Sequence, residues 1–135
     1  MRLDLFGYAF DLDEAFVDAS IAEIRTQVRA YEDGDRRAFS LSVAFPDSFT
    51  GRVMAAMATI PYGETRSYGD LARVLETSPV AVGGACGRNP LPIVVPCHRV
   101  VGADSVGGFS AAGGVAAKEA LLAHERGAPV QRTLG

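Results

Sequence analysis

Metal-ligating and redox-active side chains are scarce in this sequence of 135 residues, which has two cysteines, Cys86 and Cys97, and two histidines, His98 and His124. A structural zinc site normally takes four such ligands in paired spacings, so no metal is expected, and two cysteines do not make a disulfide framework. No stretch approaches the roughly 18 consecutive apolar residues of a membrane helix. The first residues also lack the basic, apolar and small-residue pattern of a secretion signal. These absences lead to the expectation of a cytoplasmic protein without membrane contact, whose cysteines stay reduced and whose Cys97 is a free thiol. Blocks of like charge and low-complexity tracts are missing too, and with 48% apolar and 21% charged residues the chain is expected to fold as one compact, monomeric unit.

Positive charge is in short supply, and lysine most of all: Lys118 stands alone against twelve arginines, and the net charge is −3 with a pI near 5.3. A nucleic-acid-binding domain that announces itself by charge has a pI above about 9, so charge alone gives no sign of DNA binding. The charge is unevenly spread, however: residues 1–50 carry a net −5 and residues 51–135 a net +2. The second part is therefore compatible with phosphate contacts.

What is present is strong local patterning. Met1, Leu3 and Leu5 alternate with polar residues, and so do Phe39, Leu41, Val43 and Phe45, which predicts two half-buried strands. Between them Val17, Ile21, Ile24, Val28 and Tyr31 recur at helical steps, predicting a helix that ends near Gly34. From Asp47 a second helix is predicted with Phe49, Val53, Met57 and Ile60 on one face, stopped at Pro61-Tyr62-Gly63. Ser67 is a good N-cap with Asp70 in the capping position, and Leu71, Val74 and Leu75 supply a buried face. Ser78-Pro79 then reads as an N-cap followed by proline at the first helical position, opening a segment to Asn89. Two short helices in tandem suggest a helix-turn-helix. The second contains Gly83, Gly84 and Gly87, each costing about 1 kcal/mol relative to alanine, so close approach of another backbone or a DNA groove is expected there.

Ile93-Val94-Val95 is a brief apolar run closed by Pro96, and Cys97-His98-Arg99 follows directly. A lone cysteine is usually a small buried hydrophobe, but here a proline fixes the chain on one side and a histidine on the other can withdraw the thiol proton. Cys97 is therefore a candidate nucleophile. Neighbouring residues of an extended segment point to opposite sides, so His98 reaches Cys97 only through a bend or a bridging water. An acid that orients the histidine must come from elsewhere, and by spacing Glu119 and Glu125 on a last helix bearing Val115, Leu121 and Leu122 are equal choices. Gly127 is the expected C-cap of that helix.

These residues carry a resemblance. Val82-Gly83-Gly84-Ala85, Asn89-Pro90 and Pro96-Cys97-His98-Arg99-Val100, in that order between a Tyr62-Gly63-Glu64 turn and Lys118-Glu119-Ala120-Leu121-Leu122-Ala123-His124-Glu125, resemble the O6-alkylguanine-DNA alkyltransferase family from about Pro46 to Gly127. The resemblance implies an α+β protein with a shortened N-terminal strand-helix-strand element (1–45), a mostly helical, winged helix-turn-helix-like DNA-binding and active-site domain (46–127) and a tail (128–135). It implies Cys97 as alkyl acceptor, His98 as a base acting through water, Glu125 as the acid holding His98, Tyr68 as a proton donor to the departing guanine, and Asn89 as a brace. Val100, Phe109, Ser110 and Cys86 would line the substrate pocket. Ser67, Val80, Ala81, Gly83, Gly84, Arg88 and Arg99 would face double-stranded DNA, with Arg99 equally able to serve in a structural ion pair. No cofactor is implied, since DNA is the donor and the protein the acceptor.

Three features depart from the family pattern: Val80 stands where an arginine is inserted into the duplex, Phe109 where a tyrosine is frequent, and the segment Ser110–Gly114 is two residues longer. A non-catalytic lesion binder or helix-turn-helix regulator is the alternative, against which the cysteine speaks. A cysteine hydrolase comes last, because neither an oxyanion hole nor a histidine directly facing the thiol is evident.

Overall fold

The computed structural model describes residues 1–109 and 113–130, and within them the α+β class holds. Residues Arg2–Leu5 (β1) and Tyr8–Asp11 (β2) form an antiparallel hairpin, with Leu5 opposite Tyr8. The turn residues Phe6 and Gly7 both have positive φ, 53° and 82°, the two-residue geometry that suits the twist of a hairpin. A short 3-10 turn, Glu14–Phe16, leads to a helix at Ile21–Glu32 (α1), capped by the Ser20 hydroxyl, which accepts from the Glu23 amide.

The N-terminal element thus differs from a strand-helix-strand: the second strand precedes the helix. The segment 39–45 is extended as its alternation predicts, but among the described residues it finds only a bridge between Val43 and Val17. Its remaining backbone groups go elsewhere. Ser42 O accepts from Asp18 N at 2.9 Å, and the buried Gln27 side chain takes both the NH and the carbonyl of Ser40. A period of two fixes an extended chain; a strand also needs a partner of matching length, and residues 16–18 are too few. On α1 the buried stripe is Ile24, Val28 and Tyr31, each worth about 1.5–3 kcal/mol when fully buried. Val17 precedes the helix, and Ile21, in its first turn, is 47% exposed.

The remaining elements are Phe49–Met57 (α2), Arg66–Ser67 (β3), Tyr68–Leu75 (α3), Pro79–Gly87 (α4), Val100–Val101 (β4) and Gly114–Glu125 (α5). Gly51 lets α2 begin hard against the chain that leads into it: a Cβ there would lie 1.7 Å from the Pro46 carbonyl oxygen. The Ser67–Asp70 capping box starts α3, and Glu76 at φ 55° ends it in the left-handed region, so the chain turns at once into the Ser78 cap and Pro79 of α4. That is a tight helix-turn-helix. Two expected core residues lie outside: Val74 is 76% exposed while Ala72 packs inward, and Val115 is 40% exposed because α5 buries the face of Ala117, Lys118, Leu121 and Glu125.

In place of a hairpin wing, β3 and β4 pair in parallel over two residues, Arg66 with Val100 and Ser67 with Val101. The pair ties the start of α3 to the end of the cysteine segment. The N-terminal element is fastened to the same region by Asp13 N donating to Pro90 O at 2.9 Å. Among the described residues no helix is long and apolar enough to cross a membrane.

Candidate active site

Pro96 does not lead into an extended strand. Residues Cys97–Arg99 form one turn of 3-10 helix, entered through a γ-turn at Pro96 in which Cys97 N bonds to Val95 O at 2.8 Å; just upstream a second γ-turn holds the β-branched Ile93 at φ 75° with Val94 N bonded to Pro92 O. A buried β-branched residue in that region is strained by about 1–3 kcal/mol, and the surrounding core holds it there. The bend answers the geometric difficulty of the sequence. Successive residues of a 3-10 turn point about 120° apart, so Cys97 reaches a cleft while His98 and Arg99 turn toward α5.

Glu125, rather than Glu119, is the acid. Its Oε2 lies 2.7 Å from His98 Nε2, and Arg99 grips both oxygens, Nε to Oε1 at 2.8 Å and Nη2 to Oε2 at 3.0 Å. The Gly63 amide donates to Oε1 at 3.2 Å and the Tyr31 hydroxyl to Oε2 at 2.7 Å. Burial pushes the carboxyl's pKa up, but the His98 and Arg99 hydrogen bonds outweigh it and hold the group well below the ordinary carboxylate range. An ionised carboxylate offers only lone pairs, so the facing His98 Nε2 carries the ring proton and Nδ1 is left as an acceptor. Nδ1 is buried and meets no side-chain or backbone donor among the described residues. Burial also lowers the His98 pKa, with Glu125 offsetting only part, so the imidazole is neutral and able to receive a proton.

The Cys97 thiol is 7% exposed, and burial raises its pKa; the Asn89 amide and the Lys118 ammonium act in the opposite direction. It lies at the wall of a cleft of about 670 Å³ also lined by Tyr68, Val80, Gly83, Cys86, Asn89 and Phe109. Asn89 spans the joint between α4 and the cysteine segment: its Nδ2 donates to Val95 O at 2.9 Å and its Oδ1 accepts from Leu91 N at 3.1 Å. Tyr68 is half-buried, its phenol pKa raised by burial and by both thiols. Cys86 touches the Met57 sulfur at 3.5 Å, and burial pushes its thiol up to about 12.

Other predicted positions fall as follows. Arg99 is buried in the Glu125 ion pair and also donates to Ile60 O at 2.7 Å, which withdraws it from any DNA surface. Val100 is fully buried; its NH bonds to Cys97 O and its carbonyl accepts from Lys118 at 2.7 Å. Val80 is 85% exposed at the cleft rim, Ala81 is half-buried, and Arg88 is exposed with Nε on the Thr50 hydroxyl. The Ser67 hydroxyl is engaged in the α3 cap. The α4 glycines meet side chains rather than another backbone: the Cβ positions of Gly83 and Gly84 have Tyr68 Cε1 at 4.0 Å and Arg88 Nη1 at 3.3 Å as nearest neighbours. The smallness of Gly83 and Gly87 opens the cleft wall. Ser110 lies outside the described residues.

Two participants escaped the sequence reading. Lys118, wholly buried, donates to Val100 O at 2.7 Å and Gly108 O at 3.2 Å and reaches the Tyr68 hydroxyl at 3.4 Å. Its spacing from Leu121 and Leu122 marked it as a charge on an apolar face, the one available signal. Tyr31 closes the apolar stripe of α1, and nothing in that pattern points to Glu125.

The family model for the DNA-binding domain of 6-O-methylguanine DNA methyltransferase matches residues 48–127. A methylated-DNA–protein-cysteine methyltransferase of Archaeoglobus fulgidus is 44% identical over 97 residues, covering 68% of this chain and 63% of its own length. The chain thus spans a little under two thirds of that relative. Mycobacterium tuberculosis O6-methylguanine methyltransferase superposes with a TM-score of 0.73 at 39% identity over 82% of this chain and 68% of that one. For Mycobacterium tuberculosis OGT in complex with DNA the TM-score is 0.79 at 32% identity, over 96% of this chain and 94% of that one.

Proposed function

Because the chain belongs to the 6-O-methylguanine DNA methyltransferase family, we propose that it repairs DNA by moving an alkyl group from O6-alkylguanine in duplex DNA onto Cys97. The observation that carries this reading is a buried thiol on a cleft, beside a neutral histidine whose proton-bearing nitrogen is fixed by an ionised acid. DNA as the partner is supported by the relative that was solved in complex with DNA.

A guanine stacked in a duplex presents O6 on its groove edge and cannot enter a protein cleft, so the nucleotide must be turned out before the buried sulfur can reach its substituent. The helix-turn-helix places the small residues of α4 and the exposed Val80 along the cleft, where an apolar side chain can fill the space left by the extruded base. His98 Nδ1 takes the Cys97 proton through a bridging water, and the imidazolium so formed is stabilised by Glu125. The thiolate attacks the alkyl carbon, the S–C bond forms as the C–O6 bond breaks, and the electron pair withdraws into the guanine ring. Tyr68, held by Lys118, supplies the proton that the departing guanine takes up. The thioether is stable, so each molecule acts once, and the transfer needs no cofactor.

Intact-protein mass after incubation with O6-methylguanine duplex tests the proposal, with undamaged duplex and Cys97→Ser as controls. The expected result is one added methyl group, located on Cys97 and absent in both controls. Binding to the lesion without a mass gain would overturn the transfer and leave a lesion-binding protein.

A further inference from the structure

Of the five hydrogen bonds that converge on Glu125 among the described residues, the one from Tyr31 comes from the N-terminal element, 94 residues away in the chain. Its hydroxyl donates to Oε2 at 2.7 Å, the same oxygen that His98 Nε2 reaches at 2.7 Å. The ring is boxed by Phe39, Tyr62 and His124, with centroids at 5.7, 6.1 and 5.1 Å, and the Tyr31 carbonyl lies 2.7 Å from His124 Nε2. Tyr31 is therefore held at both ends by the last turn of α5. Packing in this box asks only for an aromatic ring, so the hydroxyl is an addition whose partner, among the described residues, is the acid of the relay.

We propose that Tyr31 is a positioning residue for alkyl transfer, its hydroxyl fixing Glu125 Oε2 and moderating the charge that oxygen presents to His98. The inference rests on the reading of Cys97 as the nucleophile and makes the N-terminal element part of the active site. Each donor on Oε2 withdraws negative charge, and what it withdraws no longer stabilises a protonated His98. Removing the hydroxyl leaves a more basic carboxylate and a His98 that keeps its proton to higher pH. The charged and titratable groups that face this assembly are Arg99 against Glu125, Tyr62 beneath Arg99 with Arg37 on its ring, His124 on the Tyr31 carbonyl, and Lys118 and Cys97 on the far side of His98. None of them is altered by Tyr31→Phe, and the carboxylate retains four donors, so the variant folds.

The experiment compares wild type, Tyr31→Phe and Phe39→Leu, the last disturbing the same aromatic box without touching the hydrogen bond. The rate of Cys97 alkylation is followed against pH with two reagents, O6-methylguanine duplex and iodoacetamide, and modification of Cys97 is read by peptide mass. In Tyr31→Phe the acid limb of the profile moves up by about half a pH unit, about a threefold slower reaction on that limb. Phe39→Leu lowers the melting temperature and leaves the limb in place. A limb in Tyr31→Phe that coincides with wild type, or that moves equally in Phe39→Leu, overturns the proposal even where wild type takes methyl from DNA. A shifted limb with iodoacetamide in a protein that takes no methyl from DNA supports the positioning role and overturns the repair reading instead.

Discussion

Glu125→Gln changes almost no volume and removes one charge, which makes it a sharp probe of the buried relay. The carboxylate side chain is 1% exposed and faces two donors at Oε1 and three at Oε2. A glutamine amide has one accepting oxygen, so its NH2 must confront donors on one side or the other. At the Oε2 side His98 can change tautomer and the Tyr31 hydroxyl can turn to accept, but Arg99 Nη2 has no such freedom. Arg99 is then a buried cation without its counter-ion. Breaking a buried pair in this way costs about 3–5 kcal/mol, a large part of the 5–15 kcal/mol that holds a domain together. For a chain of this size the melting temperature should fall by roughly 10–20 °C. The tautomer change also puts the His98 proton on Nδ1, so Cys97 alkylation at neutral pH slows even in the folded fraction. Thermal melts by circular dichroism, with iodoacetamide rates below the transition, measure both effects. Arg99→Met added to Glu125→Gln should restore about half of the loss, because it removes the stranded cation while leaving Ile60 O without its donor. A Glu125→Gln protein that melts within about 3 °C of wild type, or a double variant whose losses simply add, would refute the reasoning.

Three further outcomes follow from the same geometry. Burial lowers the His98 pKa from 6.5, so the unfolded chain takes up this proton first as pH falls; native stability is full above about 6.5 and is lost through that value down to the folded pKa, by at most about 1.4 kcal/mol per pH unit. Urea midpoints between pH 5 and 7 should show the slope in wild type and lose it in His98→Gln, whereas the depressed Glu125 carboxyl adds its own loss only below pH 4.5. Lys118→Met removes the cation that favours the Cys97 thiolate, so the pH of half-maximal iodoacetamide reaction should rise by about one unit and the neutral-pH rate fall about tenfold; an unchanged rate would show that Lys118 serves packing alone. Gly107→Ala, at φ 75° with a Cβ only 2.9 Å from the Tyr68 ring and hydroxyl, should cost about 1–3 kcal/mol in a thermal melt and displace Tyr68. Methyl transfer from DNA should then slow far more than iodoacetamide alkylation, and equal slowing would remove Tyr68 from the transfer step.

The helix-turn-helix was legible because its signals are local. Ser67 with Asp70, and Ser78 with Pro79, satisfy the orphan amides of the very helices they begin. The hairpin of β1 and β2 was not legible, since Phe6-Gly7 lacks the Asn-Gly or Asp-Gly signature, and Phe6 tolerates its positive φ only because the core, including His124, receives its ring. The strand expected at 39–45 failed for the complementary reason: alternation declares an extended chain, but only the neighbouring fold supplies or withholds a ladder partner.

In the site, the sequence by itself determined that Cys97 stands between a proline and a histidine, and that an acid from the last helix must orient that histidine. Spacing alone left Glu119 and Glu125 level. The choice of Glu125 belongs to the tertiary structure, because the rotation of α5 about its axis is set by which of its residues the core buries. The same rotation brings Lys118 to the cleft, commits Arg99 to the acid instead of to DNA, and lets Tyr31 of α1 reach the oxygen that His98 uses. Local chemistry is written in neighbouring residues, whereas a shared carboxylate is a meeting of four distant segments, and only the packed chain decides which donors arrive there.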